Sequence, residues 1–261
     1  MTVCDNQGMN PPDGVDRRAV VVDDDTDIRE LLAQVLALQG FAVRQASTGA
    51  EAIELVREYD PDLVTLDLGL PDMDGTEVCR RVREITDAYV IMVSARQEEI
   101  DRLVGLEIGA DDYITKPFSP REVQARVTAM FRRPRRSVPA EDLSGTAGHQ
   151  ILTHGPLTVD VDGRVAVLDG EELTLTRTEF DILVTLMSGP KRVWARDVLL
   201  RDVWGTEWSM DHHLVEVHVG NLRRKLGDNG RNSRFIRTVR GVGYKMEPPE
   251  LVQSVERVES M

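Results

Sequence analysis

The chain has 261 residues and a formal net charge of −13 at pH 7. This length suits two domains of ordinary size, each able to bury a core of its own. No apolar run reaches the roughly 20 residues that a membrane helix requires, so we expect a soluble, cytoplasmic protein with no membrane partner. The two cysteines, Cys4 and Cys79, lack the spacing of a metal site and are expected to be free thiols.

Short apolar runs alternate with segments of helical period between residues 17 and 133. Residues 1–16, before them, are polar and rich in Gly and Pro, which predicts a disordered extension. The apolar runs are Ala19–Val22, Ala42–Val43, Leu63–Leu66, Val90–Val93 and Tyr113–Ile114. The helical segments are roughly Asp27–Leu38, Ala50–Glu58, Thr76–Glu84, Glu98–Ile108 and Pro120–Arg133. This alternation indicates an α/β domain with a doubly wound, five-stranded parallel sheet.

Carboxylates follow the first and third of these predicted strands. Asp23 and Asp24 end the first run, and Asp67 ends the third, just before a loop rich in Pro and Gly. Because the carboxyl ends of parallel strands meet at one edge of a sheet, these carboxylates would repel one another unless a cation lay between them. Mg²⁺ is the simplest such cation, since it prefers oxygen ligands. Lys116 follows the fifth strand and would project at the same edge. Taken alone, Asp67 could equally cap the turn after its strand.

A second domain is predicted over residues 154–247, after a linker over residues 134–153 and before a charged tail over residues 248–261. An arginine cluster at the start of the linker either touches DNA or is simply solvated: Arg132, Arg133, Arg135 and Arg136. The predicted strands of the second domain are Leu157–Val161, Arg164–Leu168 and Leu173–Leu175. Its predicted helices run from a capping box at Thr176 to Met187, from Arg196 to Val203 and from Asp211 to Leu226, and a basic hairpin spans Phe235–Met246.

The last of these helices has two faces. Its predicted buried stripe recurs at helical spacing: Val215, Val219, Leu222 and Leu226. Its largely outward residues are His213, Glu216, His218, Arg223 and Arg224. The whole chain is acidic, but this helix and the hairpin are basic, and a local positive field decides binding to a polyanion. The pattern indicates a winged helix-turn-helix that binds DNA, unless the helix is an ordinary solvated one.

Six separated motifs occur in order along the chain. They are Val22-Asp23-Asp24, Leu66-Asp67, Pro71-Asp72-Met73-Asp74-Gly75, Val93-Ser94-Ala95, Lys116-Pro117-Phe118 and Arg240-Gly241-Val242-Gly243-Tyr244. On these motifs, the first half resembles the receiver domain of two-component response regulators. From Arg17 to Met246, the chain is similar to the winged-helix transcription factors of the OmpR/PhoB type.

The resemblance implies a phosphorylation-switched regulator of transcription rather than an enzyme, apart from the receiver's assistance to its own phosphoryl transfer and hydrolysis. Asp67 would accept the phosphoryl group from a sensor histidine kinase. Mg²⁺ would be held by Asp23, Asp24, Asp67 and the main-chain carbonyl of Gly69. Ser94 and Lys116 would bind the phosphoryl oxygens, and Tyr113 would turn inward as Ser94 moves. The peptide bond between Lys116 and Pro117 would be cis.

The resemblance also implies a homodimer that forms on phosphorylation and binds double-stranded promoter DNA. The expected cross-subunit ion pairs, which could also be ordinary surface charges, are Arg102 with Glu122, Asp111 with Arg133 and Asp112 with Arg126. The expected DNA-binding residues are His213, His218, Asn221, Arg223 and Arg224 in the last helix and Thr238 and Arg240 in the hairpin. The loop from Trp204 to Trp208 lies where relatives meet RNA polymerase, but it could be a plain connector.

Two other functions remain open on the sequence. The run Val22-Asp23-Asp24-Asp25 superficially offers the spaced Asp pair of a Mg²⁺-dependent phosphohydrolase with Asp23 as its nucleophile, although Asp27 stands where that motif requires Thr or Val. Alternatively, the protein is a regulator whose DNA binding ignores phosphorylation, although every group needed for phosphorylation is present.

Overall fold

The computed structural model describes residues 17–95, 105–131, 150–205, 212–228 and 233–248. The predicted extension at residues 1–16, most of the predicted linker and most of the predicted tail lie outside these ranges. Within them, every helix is too short or too polar to cross a bilayer.

The first domain is a five-stranded parallel sheet with helices on both faces, as predicted. The strand order is β2-β1-β3-β4-β5. The strands are β1 (Arg17–Val22), β2 (Phe41–Ala46), β3 (Leu63–Asp67), β4 (Tyr89–Ser94) and β5 (Asp112–Thr115). The helices are α1 (Thr26–Leu38), α2 (Gly49–Tyr59), α3 (Gly75–Arg83), α4 (described over residues 105–108) and α5 (Pro120–Phe131).

Successive residues of β1 point to opposite faces of the sheet and so divide the core of this domain. Val20 and Val22 join the apolar cluster that contains buried residues of α2 and α3. Ala19 and Val21 join the cluster that contains buried residues of α1 and α5. Because both faces are covered, the central strands β3 and β4 are buried along their whole length, whereas the edge strand β2 exposes Arg44 and Gln45.

The second domain has two antiparallel sheets around three helices, in a winged-helix arrangement. One sheet has the order β6-β7-β8-β9 and the other β10-β12-β11. The strands are β6 (Ile151–His154), β7 (Leu157–Asp160), β8 (Val165–Leu168), β9 (Glu171–Glu172), β10 (Trp194–Ala195), β11 (Ile236–Val239) and β12 (Gly243–Met246). The helices are α6 (Arg177–Ser188), α7 (Arg196–Trp204) and α8 (His212–Lys225).

The capping box that opens α6 is confirmed, because the hydroxyl of Thr176 accepts from the main-chain N–H of Glu179 and the carboxylate of Glu179 accepts from that of Thr176. The buried stripe of α8 is also confirmed in full.

Three strands differ from the sequence prediction. The strand expected at Leu173–Leu175 is wrong, because the turn at Asp169 and Gly170 has positive φ at both residues and returns the chain at once, so that pairing with β8 occurs at Glu171–Glu172. Strand β6 begins inside the predicted linker and was missed because its residues show little apolar alternation. Strand β10 is only two residues long, too short for a periodic signal.

Candidate functional site

Two strand ends bring three carboxylates together at the carboxyl edge of the parallel sheet. Strands β1 and β3 are parallel neighbours in which Val22 is paired with Leu66. The next residue after each, Asp23 and Asp67, therefore lies beside the other at the edge of the sheet. One oxygen atom each from Asp23, Asp24 and Asp67 lies within 4.8 Å of the others. Asp23 and Asp67 are buried and Asp24 is exposed. The site is therefore an acidic pocket open to solvent on one side.

Lys116 reaches into this pocket from the end of β5. Its Nζ lies 2.8 Å from Oδ2 of Asp23 and 2.9 Å from Oδ2 of Asp67. The main-chain N–H of Lys116 donates to the carbonyl of Ser94 at the end of β4 (2.8 Å), and the bond between Lys116 and Pro117 is cis, as predicted. Ser94 is buried at the same edge. The structure thus brings Asp23, Asp24, Asp67, Ser94 and Lys116 to one place.

The electrostatics of the pocket favour a cation. Burial raises the pKa of Asp23, and the hydrogen bond and charge of Lys116 only partly offset this effect. Burial alone would lower the pKa of Lys116, but its hydrogen bonds to Asp23 and Asp67 raise it overall, so Lys116 stays protonated. One ammonium group faces three carboxylates, and this leaves a surplus of negative charge.

The donor set of the pocket fits a hard divalent cation such as Mg²⁺, since all three side chains offer carboxylate oxygens and one of them faces solvent. Such an ion keeps part of its water shell, which the exposed side of the pocket permits. The amide of Gly69 donates to Oδ1 of Asp67 (3.3 Å), and a ligand role for the carbonyl of Gly69 stays a prediction.

Two residues that the sequence did not single out hold the loops of the pocket. The guanidinium of Arg29 donates to the main-chain carbonyls of Asp23 (2.6 Å) and Asp24 (3.3 Å). A Cβ atom at Gly75 would lie 2.3 Å from the carbonyl oxygen of Asp67, so only glycine allows the loop to return this closely to β3. The signal available in the sequence was the position of Arg29 in the first turn of α1, four residues after Asp25, from which its side chain can reach the preceding loop.

Asp72 ties the same loop to the neighbouring helix. Its carboxylate accepts from the main-chain N–H groups of Gly49 (2.8 Å) and Ala50 (2.9 Å) at the start of α2. These two hydrogen bonds lower the pKa of Asp72. The loop after Asp67 is thus fixed at both of its ends.

The predicted DNA-binding residues differ in their exposure to solvent. His213, Arg224 and Arg240 are exposed, and Arg223 and Thr238 are half-buried. Arg223 donates to the carbonyl of Ile236 and, at 2.7 Å, to the hydroxyl of Thr238, so it joins α8 to the hairpin.

His218 and Asn221, which were also predicted to bind DNA, are buried. The expectation that His218 faces outward is therefore wrong in this conformation, because the first domain covers that side of α8.

Two family models match the chain, one in each domain. The family model of the response regulator receiver domain matches residues 19–128, and that of the transcriptional regulatory protein, C terminal, matches residues 170–246. The chain is 43% identical over 237 residues to the DNA-binding response regulator MtrA of Mycolicibacterium smegmatis. The match covers 91% of this chain and 100% of that relative. The chain belongs to the two-component response regulators of the OmpR/PhoB type.

Other relatives agree with this assignment. The chain is 39% identical over 238 residues to the alkaline phosphatase synthesis transcriptional regulatory protein PhoP of Bacillus subtilis. The match covers 91% of this chain and 99% of that relative. The solved structure of a RitR mutant is similar to it with a TM-score of 0.70 and 28% identity, covering 89% of this chain and 99% of that one.

The receiver domain covers α8 through main-chain carbonyls at the amino edge of its sheet. Nε2 of His218 and Nε1 of Trp204 both donate to the carbonyl of Asp111, each at 3.3 Å. The amide nitrogen of Asn221 donates to the carbonyl of Leu106 at 3.1 Å. Two of these bonds occupy His218 and Asn221, which were predicted to bind DNA. We call this set of contacts, together with the polar contacts of α6 described next, the interdomain contact.

Helix α6 makes the polar part of the interdomain contact. The hydroxyl of Tyr89 lies 3.2 Å from Oδ2 of Asp181, with hydrogen-bond geometry. Arg177 lies 3.4 Å from a carboxylate oxygen of Asp62 and 3.5 Å from one of Asp87. Its guanidinium carbon lies 5.5 Å from the centre of the Tyr89 ring. Buried apolar residues of both domains also belong to one continuous cluster. The two domains are therefore packed together and not merely tethered.

The predicted dimer residues pair within one chain where the structure describes them. Arg126 lies 3.1 Å from Asp112 and 2.7 Å from Glu122. Asp111 pairs with Arg83 at 2.5 Å. Arg102 and Arg133 lie outside the described residues. The predicted cross-subunit pairing of Asp112 with Arg126 would therefore have to replace a pairing that already exists within the chain.

Proposed function

We propose that this regulator is switched by phosphorylation of Asp67, with a sensor histidine kinase as the donor, and that the phosphorylated protein binds promoter DNA as a homodimer. The observation that carries the proposal is the contact of Lys116 with both Asp67 and Asp23 beside Asp24. Phosphoryl transfer requires an oxygen nucleophile, a cation on the spreading negative charge and a fixed positive donor. The pocket supplies residues suited to each task.

The residues of the pocket would share the transfer as follows. A carboxylate oxygen of Asp67 attacks the phosphorus atom in line, and the bond from phosphorus to the donor's histidine nitrogen breaks. Lys116 and Ser94 bind the phosphoryl oxygens, and the loops fixed by Arg29 and Asp72 keep the nucleophile in place. Asp23 and Asp24, with Asp67, would hold Mg²⁺, whose charge would offset the negative charge that develops on the phosphoryl group.

The output step requires the interdomain contact to open. His218 and Asn221 cannot reach DNA while they donate to Asp111 and Leu106. Tyr113, which is buried on β5 next to Asp112, lies between the phosphoacceptor edge and that contact. We propose that phosphorylation acts through Ser94 and Tyr113 to weaken the contact. Opening would then free the dimer face and the DNA-binding residues, and the loop from Trp204 to Trp208 would meet RNA polymerase.

The test compares acid-labile phosphate on three proteins after incubation with a small phosphodonor and Mg²⁺. We expect phosphate on the wild type, none on Asp67→Asn, and slower labelling of the same aspartate on Asp23→Asn. Phosphate that persists in Asp67→Asn and is lost in Asp23→Asn would instead support the phosphohydrolase alternative. The same proteins are then used to select bound fragments from random DNA duplexes. An Asp67→Asn protein that binds the selected DNA as tightly as phosphorylated wild type would show that binding ignores phosphorylation.

A further inference from the structure

The imidazole of His218 lies at the centre of the interdomain contact and is fully buried. Its Nε2 donates to the carbonyl of Asp111, and its ring lies 5.4 Å from that of Trp204 on α7. Among the described residues, its Nδ1 has no hydrogen-bond partner. A neutral imidazole tolerates this arrangement, because an unprotonated Nδ1 carries no proton that must be donated. An imidazolium would bring into the contact a positive charge and a second N–H group, at Nδ1, for which the described residues provide no acceptor.

The two carboxylates that face His218 are each paired with a cation, although Oδ1 of Asp111 has no hydrogen-bond partner among the described residues. Asp111, from the receiver, is already paired with Arg83 of α3 at 2.5 Å. Glu179, from α6, is already paired with Lys225 of α8 at 2.6 Å. Each nearby carboxylate is thus balanced by its own cation. Burial lowers the pKa of His218, and the two carboxylates only partly oppose this effect.

We propose that the interdomain contact is a proton-sensitive switch, closed only while His218 is neutral, so that acidification opens this regulator independently of phosphorylation at Asp67. In the open protein His218 is solvated, and its pKa returns to about 6.5. The closed form is therefore fully stable above about pH 7, and it loses stability as the pH falls below the pKa of the open form. The open-to-closed ratio rises by up to about tenfold between pH 7.5 and pH 5.5.

The first experiment measures the open fraction of the unphosphorylated full chain by energy transfer between two dyes. The dyes are attached to cysteines introduced at two exposed positions, Glu58→Cys in the receiver and Lys191→Cys in the DNA-binding domain. The chain also carries Cys4→Ser, and the native Cys79 is buried. We expect the open-to-closed ratio to rise about tenfold from pH 7.5 to pH 5.5 at constant ionic strength. His218→Gln, which cannot gain a proton in this range, should give a flat profile.

His154→Gln is the matched control. His154 is also a buried histidine of the second domain, but it bonds to the carbonyl of Glu247, away from the receiver. This variant should keep the pH response of the wild type. A flat wild-type profile, or the same response in His218→Gln as in the wild type, would overturn the proposal.

A second measurement does not depend on the folding of His218→Gln. The imidazole proton resonances of His218 are titrated in the wild type and in Arg177→Glu, which reverses a charge of the interdomain contact without touching α8. We expect His218 to titrate well below its ordinary range in the wild type and near pH 6.5 in the opened variant. The same midpoint in both proteins would refute a closed form that depends on neutral His218. Neither experiment uses a phosphodonor, so its outcome is separate from that of the phosphorylation test.

Discussion

Replacing Arg83 by Met should destabilise the receiver strongly, because it leaves a buried charge without its partner. The side chain of Arg83 is 10% exposed and that of Asp111 is fully buried, and their charged atoms lie 2.5 Å apart. Arg83 also donates to the carbonyls of Gly109 (2.7 Å) and Ala88. Removal of one partner of a buried ion pair costs about 3 to 5 kcal/mol. We expect a loss of that size in the free energy of unfolding of the receiver, measured by circular dichroism in urea.

Arg80→Met, on the same helix, is the matched control. The side chain of Arg80 is 55% exposed and pairs with Glu77 and Glu84 at the surface, where ion pairs contribute little. The double variant with Arg83→Met and Asp111→Asn should recover much of the lost stability, because no buried charge then remains. Equal losses for Arg83→Met and Arg80→Met would refute the reasoning.

Three further predictions concern other parts of the chain. Arg29→Ala should raise the dissociation constant of Mg²⁺ about tenfold in calorimetric titration, because it removes the hydrogen bonds that hold the main chain at Asp23 and Asp24. Arg44→Ala, at an exposed position of β2, is the control and should leave the dissociation constant unchanged. Thr176→Ala should lower the free energy of unfolding of the second domain by about 1 kcal/mol through loss of the capping box; an unchanged urea midpoint would contradict this. Gly75→Ala should lower the melting temperature markedly, because the new Cβ meets the main chain of β3. Gly220→Ala has open space around it and should raise the free energy of unfolding by up to about 1 kcal/mol. A stabilised Gly75→Ala and a destabilised Gly220→Ala would be inconsistent with the loop geometry.

The sequence predicted the acidic pocket well because the position of each carboxylate depends only on where its own strand ends. Apolar runs that end in Asp23 and Asp67 must meet at one edge once the strands are parallel, and Lys116 follows the fifth run to the same edge. The buried stripe of α8 is equally local, since helical spacing alone defines it. These features needed no knowledge of how the domains pack.

The position of His218 could not be predicted in the same way. Helical spacing places it beside the buried stripe, and only contact with a second domain decides whether that side is solvated. Its acceptor is a main-chain carbonyl of Asp111, and the carbonyl of any residue type would serve, so the sequence holds no signal for it. Arg83 likewise reads as one more basic residue of an amphipathic helix until Asp111 is placed beside it.

The acidic pocket and the interdomain contact lie at opposite ends of the same strands. Strand β4 begins at Tyr89, which touches α6, and ends at Ser94 in the acidic pocket. At about 3.3 Å per residue, these ends are roughly 16 Å apart. The two places therefore share no side chain, and any influence of one on the other has to pass along these strands. Evolution can retune one end, for a new kinase or a new operator, without disturbing the atoms at the other.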